Sequence, residues 1–492
     1  MKRRAKIVLV LVLVLLLGIW FLIHGSGSSR RAVETYKRDL LVKGERLTMT
    51  ELAPATNDPL PAKTFMDLMS SPAPTNLPYP MKTIAPGAVA RFNAFLKPDQ
   101  MSSYEQNVRR VADLAKIFGT NGLRFNVDYT RTNYSLSHLP KLRAAELLVV
   151  GTFLQALATN DQREAQSDLL IAVNMVHPFE DGHTVTSELY HFAQCNFAAA
   201  ATWEALQSDK WSSPQLAELQ ARWQSVSAIS NIGSVIRMER AEGIAGLAEL
   251  RRTNEDAYLF LGTLTRNSTS SANSSSDSLI GGIRDEAKEL YNHYPVYWKW
   301  RAGWSYDEEL VMLQLFEADL KLSESVTRAG AFVPALKTRD KSVADILAAH
   351  SGEREHFRLL GGDFDVEETF LLKAAEDETF RRLAVTAIAL KRCQLDRGSY
   401  PNDLNSLVPA YLSQVPLDFM DGKPLRYRLN SDGTFLLYSV GEDGEDNGGD
   451  PSVSGLSSWL KGRDIVWPRA ATPKEVEDYL KAQNQKSGSA NQ

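Results

Sequence analysis

Residues 379–401 read TFRRLAVTAIALKRCQLDRGSYP, and they carry the clearest structural pattern in the chain. Apolar residues recur in this stretch every three or four positions, which predicts an amphipathic helix that ends near Gly398. Pro401 is expected to open a short second helix that runs through Leu407. Residues 425–440, LRYRLNSDGTFLLYSV, then alternate apolar and polar side chains around an Asn-Ser-Asp-Gly turn, which is typical of a β-hairpin. An acidic, glycine-rich loop follows, so we predict a compact α+β module.

The order of these motifs resembles the globular head of the major pseudopilins of type II secretion systems. The resemblance covers residues 379–467. The matching residues are ALKR (389–392), DRGSYP (396–401), Leu404, LV (407–408), PLD (416–418), GKPLRY (422–427), YSVGEDG (438–444) and DIVW (464–467). The resemblance implies a small α+β head that holds one calcium ion in its acidic loop. It also implies a link to type II secretion or a related assembly.

The acidic loop after the hairpin has the residue types of a calcium site. Asp443, Glu445 and Asn447 alternate and Gly448 follows, as at the start of a calcium-binding loop in which alternate side chains converge on the ion. The twelfth position is Ser454 instead of Glu, so the loop is not an EF-hand. Oxygen ligands of high negative charge suit a hard cation, and clustered carboxylates repel one another unless a cation or a proton lies between them. The alternative interpretation is a solvated acidic turn.

The resemblance also points to particular ligands. Asp443 and Asp464 match the acidic positions of the pseudopilin heads, but this chain carries an insertion between them. The insertion leaves the ligand set open, with Asp446 and Asp450 as alternatives. The candidate metal ligands are therefore Asp443, Glu445, Asp446, Asn447, Asp450 and Asp464. Calcium is the cofactor that we expect.

An apolar run at positions 7–23, IVLVLVLVLLLGIWFLI, predicts a membrane segment. Basic residues cluster in the preceding positions 1–6, so the N-terminus is expected to stay in the cytoplasm. We interpret the run as an uncleaved, single-pass signal anchor of the inner (cytoplasmic) membrane, which puts the body in the periplasm or another extracytoplasmic space. A removable signal peptide is the alternative. No cysteine follows the run, so lipoprotein processing is excluded.

The beginning of the chain departs from the pseudopilin pattern. Pseudopilins start with a processing site, a Gly followed by an aromatic residue, and carry a Glu early in the membrane helix. Here no Glu occurs before Glu34. The pseudopilin membrane helix also runs straight into the head, whereas a long helical region intervenes in this chain. Assembly into a pseudopilus fibre therefore does not carry over.

The whole chain is expected to be mainly α-helical. The predicted divisions are a cytoplasmic basic tip (1–6), the transmembrane anchor (7–23), a juxtamembrane helix with a Pro-rich connector (24–100), a large irregular α-helical domain (101–375), the α+β module (376–468) and a tail (469–492). A Ser-rich loop at 266–278 interrupts the helical domain. Within that domain we also expect one short strand at 123–129 and a helix capped by Ser213.

Composition limits the classes of function. The chain has 492 residues and a net charge of −5, which gives no electrostatic reason to expect nucleic acid as a partner. Cys195 and Cys393 are the two cysteines, so neither a disulfide scaffold nor a structural zinc site made of cysteine is predicted. Two unpaired thiols are favoured over a cross-link between them.

A histidine-rich stretch raises the alternative of an exported enzyme. HPFEDGH (177–183) is similar to the start of the Fic nucleotide-transfer motif, in which the His acts as a base and the acidic residue holds magnesium. The Asn-Gly-Arg part of that motif is missing, so the phosphate cradle cannot be built. Glu188, His191 and Cys195 then share one face of a predicted helix and are zinc-compatible residue types. A helix–helix loop and a packed helix face are the favoured interpretations.

The sequence contains no nucleophile elbow, Walker A loop, dinucleotide-binding glycine pattern or HExxH motif. We therefore assign no catalytic residue and predict a non-enzymatic, membrane-anchored envelope protein. Its C-terminal module would be a calcium-stabilised binding module for another envelope protein. The competing hypothesis is a hydrolase or nucleotide transferase that uses the His177–Cys195 region. The identity of the partner and the oligomeric state stay open.

Overall fold

The structure is a computed structural model, and it describes residues 27–55, 58–71, 74, 76–118, 123–130, 134–176, 183–252, 300–352, 364–452 and 463–489. Several features of the sequence lie outside the described residues: the predicted basic tip 1–6 and membrane segment 7–23, positions 177–182 of the histidine-rich stretch, the Ser-rich loop 266–278 and Ser454 of the acidic loop. The described chain is mainly α-helical, which confirms the fold class at that level.

Helices account for most of the described chain. They are α1 (27–42), α2 (Met49–Leu52), α3 (Leu60–Leu68), α4 (Tyr104–Phe118), α5 (Leu139–Thr159), α6 (Gln162–Asn174), α7 (Val185–Leu206), α8 (Ser213–Ser225), α9 (Ile232–Arg252), α10 (Ser305–Ala329), α11 (Phe332–Ala349), α12 (Phe364–Arg397) and α13 (Pro473–Ser489). Short 3-10 helices occur at Phe92–Ala94, Pro98–Met101 and Leu404–Leu407, and a short π-helix occurs at Trp300–Trp304. Helix α5 and helix α7 are apolar on most of their faces, which is the pattern of helices that are surrounded by others.

Two small sheets complete the described fold. The strands are β1 (Lys82–Ala85), β2 (Ala88–Ala90), β3 (Arg426–Leu429), β4 (Phe435–Ser439), β5 (Ile465–Val466) and β6 (Arg469–Ala470). In one sheet β1 and β2 are antiparallel, and β6 pairs in parallel with β2. In the other, β3, β4 and β5 are antiparallel neighbours, and the β3–β4 pair is the hairpin that the sequence predicts. The first sheet therefore joins a strand from the Pro-rich connector to one from the C-terminal end.

One hydrophobic core runs through the helical part and the C-terminal part of the described chain. Helix α12 packs against α7 and α8, and it crosses position 376, the predicted start of the module, without a break. The ring of Phe380 on α12 stacks on that of Trp467, with centroids 5.8 Å apart. Residues 383–391 of α12 are all buried, so the helical body and the hairpin cover this part of the helix on every face. The amphipathic pattern predicted from the sequence is therefore wrong for this part of the helix.

Among the described residues, the helix Leu139–Thr159 is long and apolar enough to cross a membrane. Two-thirds of its most apolar window (67%) is buried inside the fold. Its position between α4, α6 and α7 is that of a core helix.

Three local expectations were wrong. No strand forms at 123–129, because Phe125 stacks on His138 (centroids 4.2 Å apart) and packs edge-on against Phe65. The alternation there reflects burial of an irregular segment instead of a ladder. Ser212, not Ser213, caps α8, and its hydroxyl accepts the N–H of Gln215.

The third concerns Pro401, which does not open a helix. The turn after it is a 3-10 turn at Leu404–Leu407, which Asp403 caps by accepting the N–H of Ser406 at 2.9 Å. The side chain of Asp403 therefore sets the start of this turn two residues after the proline.

Candidate metal-binding loop

Asp418 fixes the start of the acidic loop. Its carboxylate is fully buried and accepts hydrogen bonds from Ser439 Oγ (2.6 Å), Val440 N (3.0 Å) and Met420 N (2.9 Å). The guanidinium of Arg426 lies 2.9 Å from the same carboxylate. Burial raises the pKa of Asp418 above its ordinary value, although these hydrogen bonds lower it in part. The end of β4 is therefore held in place just before the loop begins.

The first half of the loop turns back on itself through Asp443 and Asn447. Asp443 Oδ1 accepts the N–H of Glu445 at 2.8 Å, and its Oδ2 accepts the side-chain amide of Asn447 at 3.1 Å. The same amide donates to the carbonyl of Glu445 at 3.0 Å. Gly444 has a positive φ of 70°, and a Cβ there would lie 2.9 Å from Val333 on α11. The glycine therefore lets the loop lie directly against the helical body.

The second half of the loop closes on Asp464, which is buried at the start of β5. Its Oδ1 accepts the N–H of Asn447 at 3.3 Å, and its Oδ2 accepts those of Gly449 (2.7 Å) and Asp450 (3.1 Å). Burial raises the pKa of Asp464, and the three backbone donors offset part of this rise. Because Asn447 contacts Asp464 with its backbone and Asp443 with its side chain, it joins these two candidate ligands.

Asp446 and Asp450 each lie near a cationic side chain. Asp446 accepts from Gly448 N (3.0 Å) and from the hydroxyl of Tyr438 (2.9 Å), and Arg426 Nε lies 3.6 Å from it. The N–H of Gly448 and the Tyr438 hydroxyl hold the pKa of Asp446 below its ordinary value. Asp450 accepts the N–H of Ser452 at 2.9 Å and lies 3.9 Å from Arg463. The negative charge of both residues is thus partly balanced within the protein.

The six candidate ligands therefore divide into groups. Asp443, Asn447 and Asp464 meet within the loop, Asp446 and Asp450 face arginines, and Glu445 contributes its carbonyl while its side chain is exposed. Within the described ranges, no three His, Cys, Asp or Glu side chains group together as a metal site.

The donor chemistry of the first group fits calcium in type. Asp443, Asp464, the Asn447 side chain and the Glu445 carbonyl offer oxygen atoms of the kind that a hard cation takes. Each carboxylate oxygen of Asp443 and the Oδ1 of Asp464 keeps a further lone pair beside its hydrogen bond, whereas Asp464 Oδ2 already accepts two. The side-chain amide nitrogen of Asn447 donates to both the Asp443 carboxylate and the Glu445 carbonyl, so it lies between them. A cation there would require the amide to present its oxygen instead, and the ion would supply the positive charge that the loop lacks.

The three zinc-compatible residues on α7, Glu188, His191 and Cys195, have contacts of a structural kind. His191 Nδ1 lies 3.1 Å from Glu188 Oε2, and His191 Nε2 contacts the carbonyl of Val176. Both ring nitrogens are therefore engaged within the fold. Burial raises the pKa of the Cys195 thiol well above its usual range, so the thiolate needed of a nucleophile or a zinc ligand is disfavoured. Cys195 and Cys393 are both free thiols.

Two residues at the loop were missed as site residues by sequence reasoning. Asp418 and Arg426 belong to the motifs that carry the resemblance. Nothing in the sequence around them indicates that Asp418 contacts the residues just before the loop and that Arg426 contacts the loop itself. The contact of Asp418 with Ser439 spans 21 residues of the chain, and the contact of Arg426 with Asp446 spans about as many. Periodicity in the sequence cannot reveal contacts at such separations. In comparisons with known proteins, no family model, no curated protein and no solved structure matches this chain.

Proposed function

We propose that this chain is a membrane-anchored protein of the cell envelope that acts without catalysis, as a scaffold carrying a calcium-stabilised binding module. The observation that carries the proposal is the meeting of Asp443 and Asp464 at Asn447. These two acidic residues are the positions that match the calcium loop of the pseudopilin heads. The apolar run 7–23 supplies the anchor, and the body would lie outside the cytoplasm.

The loop rests on α11 of the helical body and on the β1–β2 turn, which supports a role in presenting a rigid surface. Gly444 packs against Val333, and Pro451 packs against Gly87 in the β1–β2 turn, where a Cβ would lie 2.8 Å from the proline ring. The loop itself has few apolar residues, so an ion that ties its oxygen atoms together would replace a core that it cannot build. The bound module would then offer a fixed surface to an envelope protein partner of type II secretion or a related assembly.

Thermal unfolding of the full-length protein tests the calcium part of the proposal. Millimolar calcium should raise the midpoint and a chelator should lower it, because a ligand that binds the native state alone stabilises it. Asp443→Asn and Asp464→Asn should each lose this shift. Asp432→Asn is the matched control, because Asp432 is an exposed carboxylate in the hairpin turn that bonds only to Thr434 in the contacts observed. A wild-type midpoint that is the same with calcium and with chelator would refute the calcium site.

Two cell experiments test location and role. A C-terminal alkaline phosphatase fusion should be active, because this reporter works outside the cytoplasm. A C-terminal green fluorescent protein fusion should be dark, because that reporter works inside the cytoplasm.

Crosslinking in intact cells followed by mass spectrometry should recover envelope proteins, and secretion components among them would identify the assembly. Recovery of cytoplasmic proteins alone would contradict the proposed placement.

A further inference from the structure

A cavity of about 910 Å³ opens between α7, the segment 78–100 and the C-terminal helix α13. This volume lies in the range of about 300–1,000 Å³ that is typical of sites for small molecules and cofactors. Among the described residues that line it there is no candidate metal ligand and no member of the histidine-rich stretch. The cavity is therefore separate from the sites considered above.

The walls of the cavity are largely apolar and aromatic. Phe92, Phe95 and Phe197 line it, together with Tyr79 and Leu480, which are 61% and 38% exposed. The rings of Tyr79 and Phe197 meet edge-on, with centroids 5.3 Å apart. Exposed apolar side chains that gather in one concave surface indicate a site for an apolar ligand.

Positive charge gathers at the same cavity. Lys82 and Lys97 line it, and the guanidinium of Arg143 lies over the ring of Phe197, 5.5 Å from its centroid. The described lining residues include no Asp or Glu. In a chain with a net charge of −5, this local excess of cations favours an anionic ligand.

The walls are held in place from two sides. The buried carboxylate of Glu204 on α7 accepts the N–H groups of Met81 (3.2 Å) and Phe92 (2.6 Å), which fixes the segment 78–100 on that helix. The ammonium of Lys82 lies 5.1 Å from the ring centroid of Phe95 and 5.3 Å from that of Tyr479. This contact ties α13 to the opposite wall and keeps a positive charge at the cavity. The pocket is therefore formed before a ligand arrives.

We propose that this cavity binds a single-chain amphipathic anion, with its acyl chain against the aromatic walls and its acid group at Lys82 and Lys97. A free fatty acid and a single-chain phospholipid share this chemistry. A neutral lipid lacks the charge that the two lysines select. A small polar anion lacks the apolar body that the walls would cover.

Photolabelling of the full-length protein in membranes tests this assignment. The probe is a palmitic acid analogue that carries a diazirine and an alkyne in its chain. After irradiation, mass spectrometry should find adducts on peptides that contain 78–100, 196–200 or 480. Excess palmitate or excess lysophosphatidic acid should compete, and the stronger competitor identifies the source of the ligand. Excess hexadecanol, which has the same chain without the acid, should leave most of the labelling.

Variants distinguish the contribution of the lysine charges to ligand binding from an effect on folding. The double variant Lys82→Gln/Lys97→Gln should lower labelling at these peptides at least tenfold at low probe concentration, and Ala200→Leu, which adds bulk to the lining, should also lower it. Lys337→Gln, an exposed lysine on α11, is the matched control and should label like the wild type. Thermal midpoints would confirm that each variant is folded. Equal competition by hexadecanol, unchanged labelling in the double variant, or adducts confined to other peptides would each overturn the proposal.

Discussion

Trp203 Nε1 donates a 2.7 Å hydrogen bond to the carbonyl of Pro468, 265 residues further along the chain. Both residues are buried. Trp203 lies on α7 in the helical body, and Pro468 lies between β5 and β6 in the C-terminal part. This buried hydrogen bond joins the two parts between β5, the last strand of the hairpin sheet, and β6, the strand that pairs with β2.

We expect Trp203→Phe to lower the free energy of unfolding by about 1–3 kcal/mol more than the loss of ring size alone, because the Pro468 carbonyl is left buried without its donor. Trp211→Phe is the matched control, since the buried indole N–H of Trp211 has no hydrogen-bond partner among the described residues. Urea denaturation of the full-length protein measures both. Equal losses for the two variants would show that the Trp203 hydrogen bond contributes nothing.

The continuous core predicts that the C-terminal module does not unfold on its own. In wild type and in Trp203→Phe, circular dichroism and tryptophan fluorescence should follow one coincident transition. A separate, earlier transition in either protein would mean that the contacts of α12 with α7 and α8 do not couple the two parts.

Asp418 should contribute more to stability than the other aspartates of the module. We expect Asp418→Asn to cost at least about 2 kcal/mol, because an amide can replace only part of the contacts with Ser439, Val440, Met420 and Arg426. Asp432→Asn, in the exposed hairpin turn, should change stability by less than about 0.5 kcal/mol. Chemical denaturation of both variants checks the difference, and similar values for the two would contradict the central role of Asp418.

Local sequence rules predicted the elements whose causes are local. The helix that leads into the module ends as expected at Gly398, which has a φ of 81° and donates its N–H to Gln394. The hairpin pairs from Arg426↔Tyr438 to Leu429↔Phe435, as alternation and the Asn-Ser-Asp-Gly turn predict. Both features depend on residues that are neighbours in sequence.

The surroundings of individual residues depend on contacts with distant parts of the chain, which sequence patterns do not contain. Asp446 was a candidate ligand because of its place in the loop, but it faces Arg426, which comes from the other side of the hairpin. The alternation at 123–129 has the period of a strand, yet no strand of the described chain pairs with it, and Phe125 stacks on His138. In both cases the environment of a residue is decided by a distant segment, which periodicity cannot supply.

Glu204 gives a prediction for pH. Burial raises its pKa to about 7, although the N–H groups of Phe92 and Met81 and the nearby Arg91 lower it in part. The folded state therefore holds a proton more tightly than the unfolded state, in which the pKa is ordinary. The stabilisation from this proton is complete below about pH 4.5 and is lost as the pH rises to about 7.

The measurement is the difference in unfolding free energy between wild type and Glu204→Gln across pH 4.5 to 8. We expect wild type to lose up to about 3 kcal/mol relative to the variant over this range, since each pKa unit corresponds to about 1.4 kcal/mol. Other titrating groups cancel in the difference. A flat difference for Glu204→Gln would mean that this carboxylate does not hold the proton.

His191 gives the prediction that separates a structural residue from a catalytic one. Its ring bridges Glu188 on its own helix and the carbonyl of Val176 just after α6, so it ties two helices together. We expect His191→Phe to cost about 2–4 kcal/mol, because ring volume is kept while two buried polar groups lose their partner. A catalytic histidine would instead leave the free energy of unfolding nearly unchanged and abolish a turnover.

His138→Phe is the control for this substitution. His138 is also buried, but it stacks on Phe125, and burial lowers its pKa to about 4, so it is neutral at pH 7. A phenyl ring can take over that stacking contact, so this variant should lose less than about 1 kcal/mol. If urea denaturation gives His191→Phe and His138→Phe the same small cost, the bridge at His191 is not structural, and the enzymatic alternative for the His177–Cys195 region gains support.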